Sequence, residues 1–149
     1  REAPSPSLTG HVLDLGCGSG AIALTLALRS PNATVWAIDV NERARQLTTT
    51  NAERNKVGNM QVASPDDVPD DVRFSTIWSN PPIRIGKESL HQLLLRWLPR
   101  LTDDGQAILV VQKHLGADSL QHWLADQDFV TERIVSRSGF RLLRVAPHR

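Results

Sequence analysis

Short apolar runs along this chain alternate with longer stretches in which apolar positions recur every three or four residues. The run His11–Leu15 predicts a strand, and the Ala- and Leu-rich stretch Ala21–Leu28 predicts a buried helix ended by Ser30-Pro31. Thr34–Ile38 predicts a second strand ending at Asp39, after which Asn41 can cap a polar surface helix reaching about Asn55. Met60–Ala63 reads as a weak third strand, 64–73 as an acidic loop, and Phe74–Ser79 as a fourth strand broken by Asn80-Pro81-Pro82. Leu90, Leu93, Leu94, Trp97 and Leu98 fall at i, i+3, i+4, i+7 and i+8, the stripe of a helix packed on a sheet. Asp103-Asp104-Gly105 reads as a turn, and the unbroken run Ala107–Val111 as a central strand buried on both faces. Asp118 is the expected cap of a further helix with Leu120, Trp123 and Leu124 facing inward. Phe129–Val135 and Phe140–Val145 have hairpin spacing. Strands alternating with helices imply an α/β protein with a mostly parallel sheet, and the hairpin implies an antiparallel strand at its end.

Length and composition narrow the classes without naming one. The 149 residues suit one domain, and 40% hydrophobic with 22% charged residues exclude disorder. No apolar run approaches the roughly 18 residues that would span a bilayer, so no membrane is expected as a partner. Seventeen basic against sixteen acidic residues give +1, so a nucleic-acid surface would have to come from local clustering. The single cysteine, Cys17, excludes an internal disulfide and fits a reducing cytoplasm, and no Cys/His pattern calls for a metal. Residues 1–10 read as a linker-like tail entering a domain at 11–149, and the start at Arg1 suggests a fragment lacking an upstream segment.

Two segments carry chemistry. Asp14-Leu15-Gly16-Cys17-Gly18-Ser19-Gly20 stands where a strand turns into a helix. Glycines there let a ligand approach the backbone, and free N–H groups at a helix start attract an anionic group, so a nucleotide-like cofactor is the natural occupant. Gly16, Gly18 and Ala21 also satisfy the dinucleotide fingerprint, which leaves NAD open. Asp39, at the end of the second strand, can accept hydrogen bonds from ribose hydroxyls, although Asp-Val-Asn would equally suit a turn before a helix. The second segment, Asn80-Pro81-Pro82-Ile83, lies at the carboxyl end of a strand, where open α/β sheets bind ligands. Neither proline has an N–H, so the segment presents carbonyl oxygens in a rigid array that suits an amino group: one N–H to the Asn80 side chain and one to the Pro81 carbonyl. Hydride transfer has no evident use for such an array.

Taken together, Asp-Leu-Gly-Cys-Gly-Ser-Gly, Asp39 and Asn-Pro-Pro-Ile resemble the S-adenosylmethionine-dependent methyltransferases of the class I, Rossmann-like fold. More narrowly, residues 80–87, Val110-Val111-Gln112-Lys113, 115–120 and Ser138-Gly139-Phe140-Arg141 resemble the small-methyltransferase family, which includes the bacterial 16S rRNA guanine-N2 methyltransferases. The resemblance implies S-adenosyl-L-methionine as cofactor, held by Asp14, Gly16, Gly18, Gly20, Asp39 and Asp66. It implies Asn80, Pro81, Pro82 and Ile83 as the amine-holding segment, and rRNA or the small ribosomal subunit as partner. Ile83 departs from the family, whose members commonly carry Phe or Tyr there to stack on the target base. Adenine N6, a protein glutamine amide, or a non-catalytic nucleotide- or RNA-binding module are the competing readings. Arg84, Lys87 and Lys113 fall in loops near Asn80 and can meet phosphates, while the histidines share no ligand spacing and the tryptophans read as packing.

Overall fold

In the computed structural model, which describes residues 8–16, 18–81, 85–112, 116–137 and 139–147, seven strands and four α-helices follow the predicted order. Strands β3, β2 and β1 pair in that order and in parallel; in the second half of the chain β4 and β5 pair in parallel, and β5-β7 and β7-β6 are antiparallel. This is the mostly parallel α/β sheet with a terminal hairpin expected from the sequence. The chain divides into two compact units that meet in sequence between Val72 and Arg73.

The first unit holds β1 (Gly10–Leu15), α1 (Ala21–Arg29), β2 (Ala33–Ile38), α2 (Glu42–Arg54) and β3 (Met60–Ala63). Its core joins Val12, Val35 and Ala37 of the strands to Ala23 and Ala27 of α1. Alanines one turn apart let the helix axis approach the sheet closely, so α1 is buried only along that line. The expected buried helix is therefore amphipathic, with Leu28 58% exposed. The end of α1 is tied to the start of β2 from a distance: Asn59 Nδ2 lies 3.2, 3.1 and 2.9 Å from the carbonyls of Ala27, Ser30 and Ala33. Asn41 caps α2 as predicted, its side chain accepting from Ala44 N–H at 3.0 Å. The acidic loop after β3 contains one 3₁₀ turn, Pro65–Asp67.

The second unit holds β4 (Phe74–Ser79), α3 (Lys87–Trp97), β5 (Leu101–Gln112), α4 (Ala117–Asp126), β6 (Val130–Arg137) and β7 (Phe140–Ala146). Phe74 and Trp97 anchor its core, with ring centroids 6.2 Å apart and tilted by 59°. Full burial of such rings contributes about 1.5–3 kcal/mol each.

Three expectations change in this unit. Asp103-Asp104-Gly105 lies inside β5 as a bulge: Phe74 pairs with Leu101 but Thr76 with Gln106. A Cβ on Gly105 would stand 3.0 Å from the Phe74 carbonyl and 3.1 Å from that of Ser75, so the glycine is what lets the bulge close on β4. The run after it is not buried on both faces; Ala107, Leu109 and Val111 are buried, whereas Ile108 and Val110 are half-buried. Asp118 does not cap α4. Gly116 does so in a left-handed conformation at φ 98°, and Asp118 in the first turn pairs with Arg141, with Arg133 3.7 Å away.

Candidate functional site

The glycine loop between β1 and α1 is shaped by its own backbone. Gly16, Gly18 and Gly20 have φ of 73°, 55° and 86°, a region that costs other residues about 1–2 kcal/mol. Among the described residues nothing outside the adjoining chain lies within 4 Å of a Cβ built on Gly16 or Gly18, whereas a Cβ on Gly20 would lie 2.6 Å from Thr48 Cγ2. Two glycines thus leave room for a ligand and the third makes room for α2. Helix α2 fastens the loop: the Thr48 hydroxyl is shared between the Ala44 carbonyl at 2.9 Å and the Gly18 carbonyl at 3.1 Å, and Asn51 Nδ2 donates to the Ser19 carbonyl at 2.9 Å. Neither Thr48 nor Asn51 was marked by the sequence, since a polar position on a polar helix carries no signal until its neighbour is known.

The N–H groups of the loop are less free than the sequence suggests. Gly16 N–H donates to the Ile38 carbonyl at 2.8 Å, and Gly18 N–H to Asp39 Oδ2 at 3.0 Å. The other oxygen, Oδ1, accepts from Asn41 N–H at 2.9 Å, so Asp39 is both the turn residue before α2 and a brace for the loop. Each carboxylate oxygen keeps a second lone pair for a ribose hydroxyl. Under the loop, Asp14 is 2% exposed and its Oδ2 has no hydrogen-bond partner among the described residues. Burial pushes its carboxyl up to about 7, a hydrogen bond from the Ala23 backbone works against that, and the charge of Asp39 adds to it.

This environment selects among cofactors. A pyrophosphate needs free N–H donors and a positive potential, and here two of the donors are occupied and two carboxylates stand beside the loop. A cofactor without phosphates and with a net positive charge fits both facts, and the unpartnered Asp14 oxygen is an acceptor waiting for a donor or cation. S-adenosylmethionine meets these requirements. Asp66 is exposed on the 3₁₀ turn after β3, beside Asp67, whose carboxylate accepts from Ser64 Oγ at 3.0 Å.

In the second unit, Asn80 and Pro81 follow directly from β4 and line a cavity of about 390 Å³. Just before them, Ser79 Oγ and Trp78 Nε1 are buried without a hydrogen-bond partner among the described residues. Leu90, Val110 and Leu120 give the cavity apolar walls, and Lys87 stands in its lining. Sequence reasoning missed two further lining residues, His91 of α3 and Phe140 of β7. Pro82, Ile83, Arg84 and Lys113 lie outside the described residues. His11 accepts at Nδ1 from Trp36 Nε1 at 3.0 Å, the packing role expected of it. No group of metal-ligating side chains occurs among the described residues, and no helix there is long and apolar enough to cross a membrane.

Comparison with known proteins bears on the same residues. A family model described as Methyltransferase small domain matches residues 2–144. The uncharacterized protein YbxB of Bacillus subtilis (strain 168) is 34% identical over 142 residues, which cover 93% of this chain and 71% of that protein. The release factor glutamine methyltransferase of Flavobacterium psychrophilum is 34% identical over 111 residues, 68% of this chain and 38% of the relative. Ribosomal RNA small subunit methyltransferase C of Shewanella amazonensis is 31% identical over 114 residues, 74% of this chain and 33% of the relative. The chain thus spans about a third of the length of these two enzymes. Among solved structures, a ribosomal protein L11 methylase from Lactobacillus delbrueckii subsp. bulgaricus superposes with a TM-score of 0.78 at 23% identity, over 93% of this chain and 70% of that one, and shares the fold.

Proposed function

We propose, from the premise that this chain belongs to the methyltransferase small domain family, whose methyl donor is S-adenosyl-L-methionine, that it methylates the exocyclic N2 amine of guanine in 16S rRNA. The observation that carries the amine is the pair Asn80 and Pro81 lining a cavity with largely apolar walls. Asp14, the glycine loop and Asp39 would hold the cofactor, with Asp66 near its adenine. Bound there, the cofactor supplies an electrophilic methyl group on a sulfonium.

The chain's own task is then to orient the amine. An exocyclic amine is a poor nucleophile because its lone pair is delocalised into the ring. Asn80 Oδ1 and the Pro81 carbonyl accept its two N–H bonds and favour the pyramidal nitrogen that localises the pair. As charge develops on nitrogen those N–H bonds become more acidic, so both hydrogen bonds strengthen towards the transition state. One proton leaves the nitrogen after transfer, and no strong general base is required. The rRNA would be met in the cytoplasm, with Lys87 at the cavity and Arg84 and Lys113 near it in sequence as phosphate contacts.

The name of the Shewanella relative supports the rRNA reading, and that of the Flavobacterium relative supports a glutamine amide as the second reading. Both are tested by one experiment. Tritiated methyl transfer is measured to deproteinised 16S rRNA, to assembled small subunits and to a release factor, with digestion of labelled RNA to nucleosides. Label in N2-methylguanosine is expected. Label in N6-methyladenosine or in the release factor alone would overturn the guanine assignment, and no label in any substrate would favour the non-catalytic module.

A further inference from the structure

The cavity beside Asn80 contains more than acceptors and aliphatic walls. His91 lines it from α3, and the imidazole lies on the indole of Trp123 from α4, with ring centroids 3.8 Å apart and planes within 4° of parallel. Trp123 does not itself line the cavity, so the indole backs the imidazole and holds its orientation. Burial holds the His91 imidazole below its usual pKa, opposed by Glu88 and assisted by Lys87. Phe140 lines the same cavity from β7, where it pairs in register with Gln112, another lining residue. It remains 42% exposed, a cost for an apolar ring unless a ligand covers it.

We propose that His91 and Phe140 are the aromatic contacts for the ring that bears the amine held at Asn80 and Pro81, and that the cavity therefore selects a nucleobase over an aliphatic amide. This rests on the amine-holding reading given above and adds the residues that decide substrate class. A volume of about 390 Å³ falls in the range that encloses a small planar ligand. An amide on an aliphatic stem would use the two acceptors but leave both rings uncovered. A nucleobase has a π face for such rings, and each base stacked on an aromatic side chain gains roughly five- to a hundredfold in affinity. His91 then acts as a pre-positioned wall, since its stack on Trp123 is formed before the ligand arrives.

The test uses the whole chain and binding of small probes, independent of turnover. Guanosine and N-acetylglutamine amide are titrated while the ring resonances of His91 and Phe140 are followed by NMR. Guanosine is expected to shift both sets of resonances and to bind more tightly than the amide. Phe140→Leu and His91→Leu, which keep apolar bulk but remove the rings, are each expected to weaken guanosine about tenfold, and Phe140→Tyr and His91→Phe to restore most of it. Unchanged cofactor affinity in all four variants establishes that they fold.

The proposal is overturned if guanosine at millimolar concentration moves neither set of resonances, if both leucine variants bind it as well as the parent, or if the amide binds better. Its failure is separable from failure of the functional reading. Guanosine binding that depends on both rings, without methylation of any RNA, would sustain this proposal and sink the other. Methylation of rRNA with an unchanged KM in both leucine variants would do the reverse.

Discussion

The glycine loop and the Asn80 cavity are built in opposite ways. Around the loop, geometry is set by backbone: three left-handed glycines, two N–H groups already spent on Ile38 and Asp39, and a helix that holds the turn by two side-chain bonds. Around Asn80 it is set by side chains from separate elements, α3, β5, α4 and β7, that have little in common except their place in the fold. A site made of backbone leaves its mark in sequence because only certain residues adopt those angles. One made of side chains leaves no local mark. The contrast predicts where substitutions will hurt: chemistry should fail first at the cavity, and folding first at the loop.

The largest effect is expected on rate. Asn80→Ala should lower single-turnover methylation by about 10²–10³, the scale for one preorganised polar contact, while cofactor affinity stays within a few-fold. Asn80→Asp should be milder because an acceptor remains. Wild-type rates in the alanine variant would remove the amine-holding role and leave the cavity as a binding surface.

Next comes the loop. Gly20→Ala meets both an unfavourable φ of 86° and a Cβ placed 2.6 Å from Thr48, and should cost roughly 2–4 kcal/mol in urea unfolding. Gly18→Ala has only the angle to contend with, φ 55° and nothing within 4 Å, and should cost about 1–2 kcal/mol. Equal losses at the two positions would show that packing of α2 against the turn is not what Gly20 provides.

How much of this was legible follows the same division. The order of elements, the Asn41 cap and the hairpin were readable because periodicity, caps and turn spacing are local properties. Gly105 was misread as a turn because Asp-Asp-Gly has turn chemistry wherever it occurs, and only the approach of the Phe74 and Ser75 carbonyls turns it into a bulge. Asp118 was misread as a cap because Gly116 gave the left-handed residue that starts α4, freeing the carboxylate for Arg141. Asp14 and Asp39 could be picked out as residues, but not that one is buried with no partner at Oδ2 among the described residues and that the other braces the loop. His91 and Phe140 were invisible as site residues, since their meeting depends on packing across more than 40 positions.

Asp39 lies between the two modes of construction, being a side chain whose hydrogen bonds hold backbone. Asp39→Ala should weaken cofactor by roughly 1–3 kcal/mol, about five- to a hundred-and-fiftyfold, through lost ribose contacts. It also removes the acceptor for Gly18 N–H and Asn41 N–H, so unfolding should occur at lower urea even without cofactor. Calorimetry alongside a urea curve separates the two effects. A loss of affinity with unchanged stability would mean that the brace contributes nothing and the ribose contact everything.

A smaller, pH-dependent effect comes from Asp14. Its native pKa of about 7 lies above the ordinary 3.8, so between those values the folded chain binds more protons than the unfolded one. Stability of the free protein should therefore fall as pH rises from about 4 to about 7 and level off above. A cationic cofactor favours the ionised carboxylate, so its affinity should instead rise with pH, by about tenfold between pH 6 and pH 8. Asp14→Asn keeps the shape and should flatten both trends. Parallel pH curves for the two proteins would place the proton elsewhere.

The smallest effect concerns RNA and tests whether the cavity side also carries the phosphate contact. Net charge is +1, so attraction to RNA must be local, and Lys87 is the one member of the proposed basic cluster within the described residues. It is exposed at the start of α3 and lines the cavity, a position from which its ammonium can reach a phosphate beside a bound base. Each neutralised phosphate releases counterions and contributes about 0.7–0.9 to the slope of log affinity against log salt. Lys87→Ala should flatten that slope by somewhat under one unit. Because phosphate contacts position without reading sequence, the loss should be nearly the same for unrelated RNA fragments. Cofactor affinity, set in the loop by backbone and by Asp39, should not move. An unchanged salt slope would remove Lys87 from the RNA surface, and a shift in cofactor affinity instead would mean that the two regions are not energetically independent.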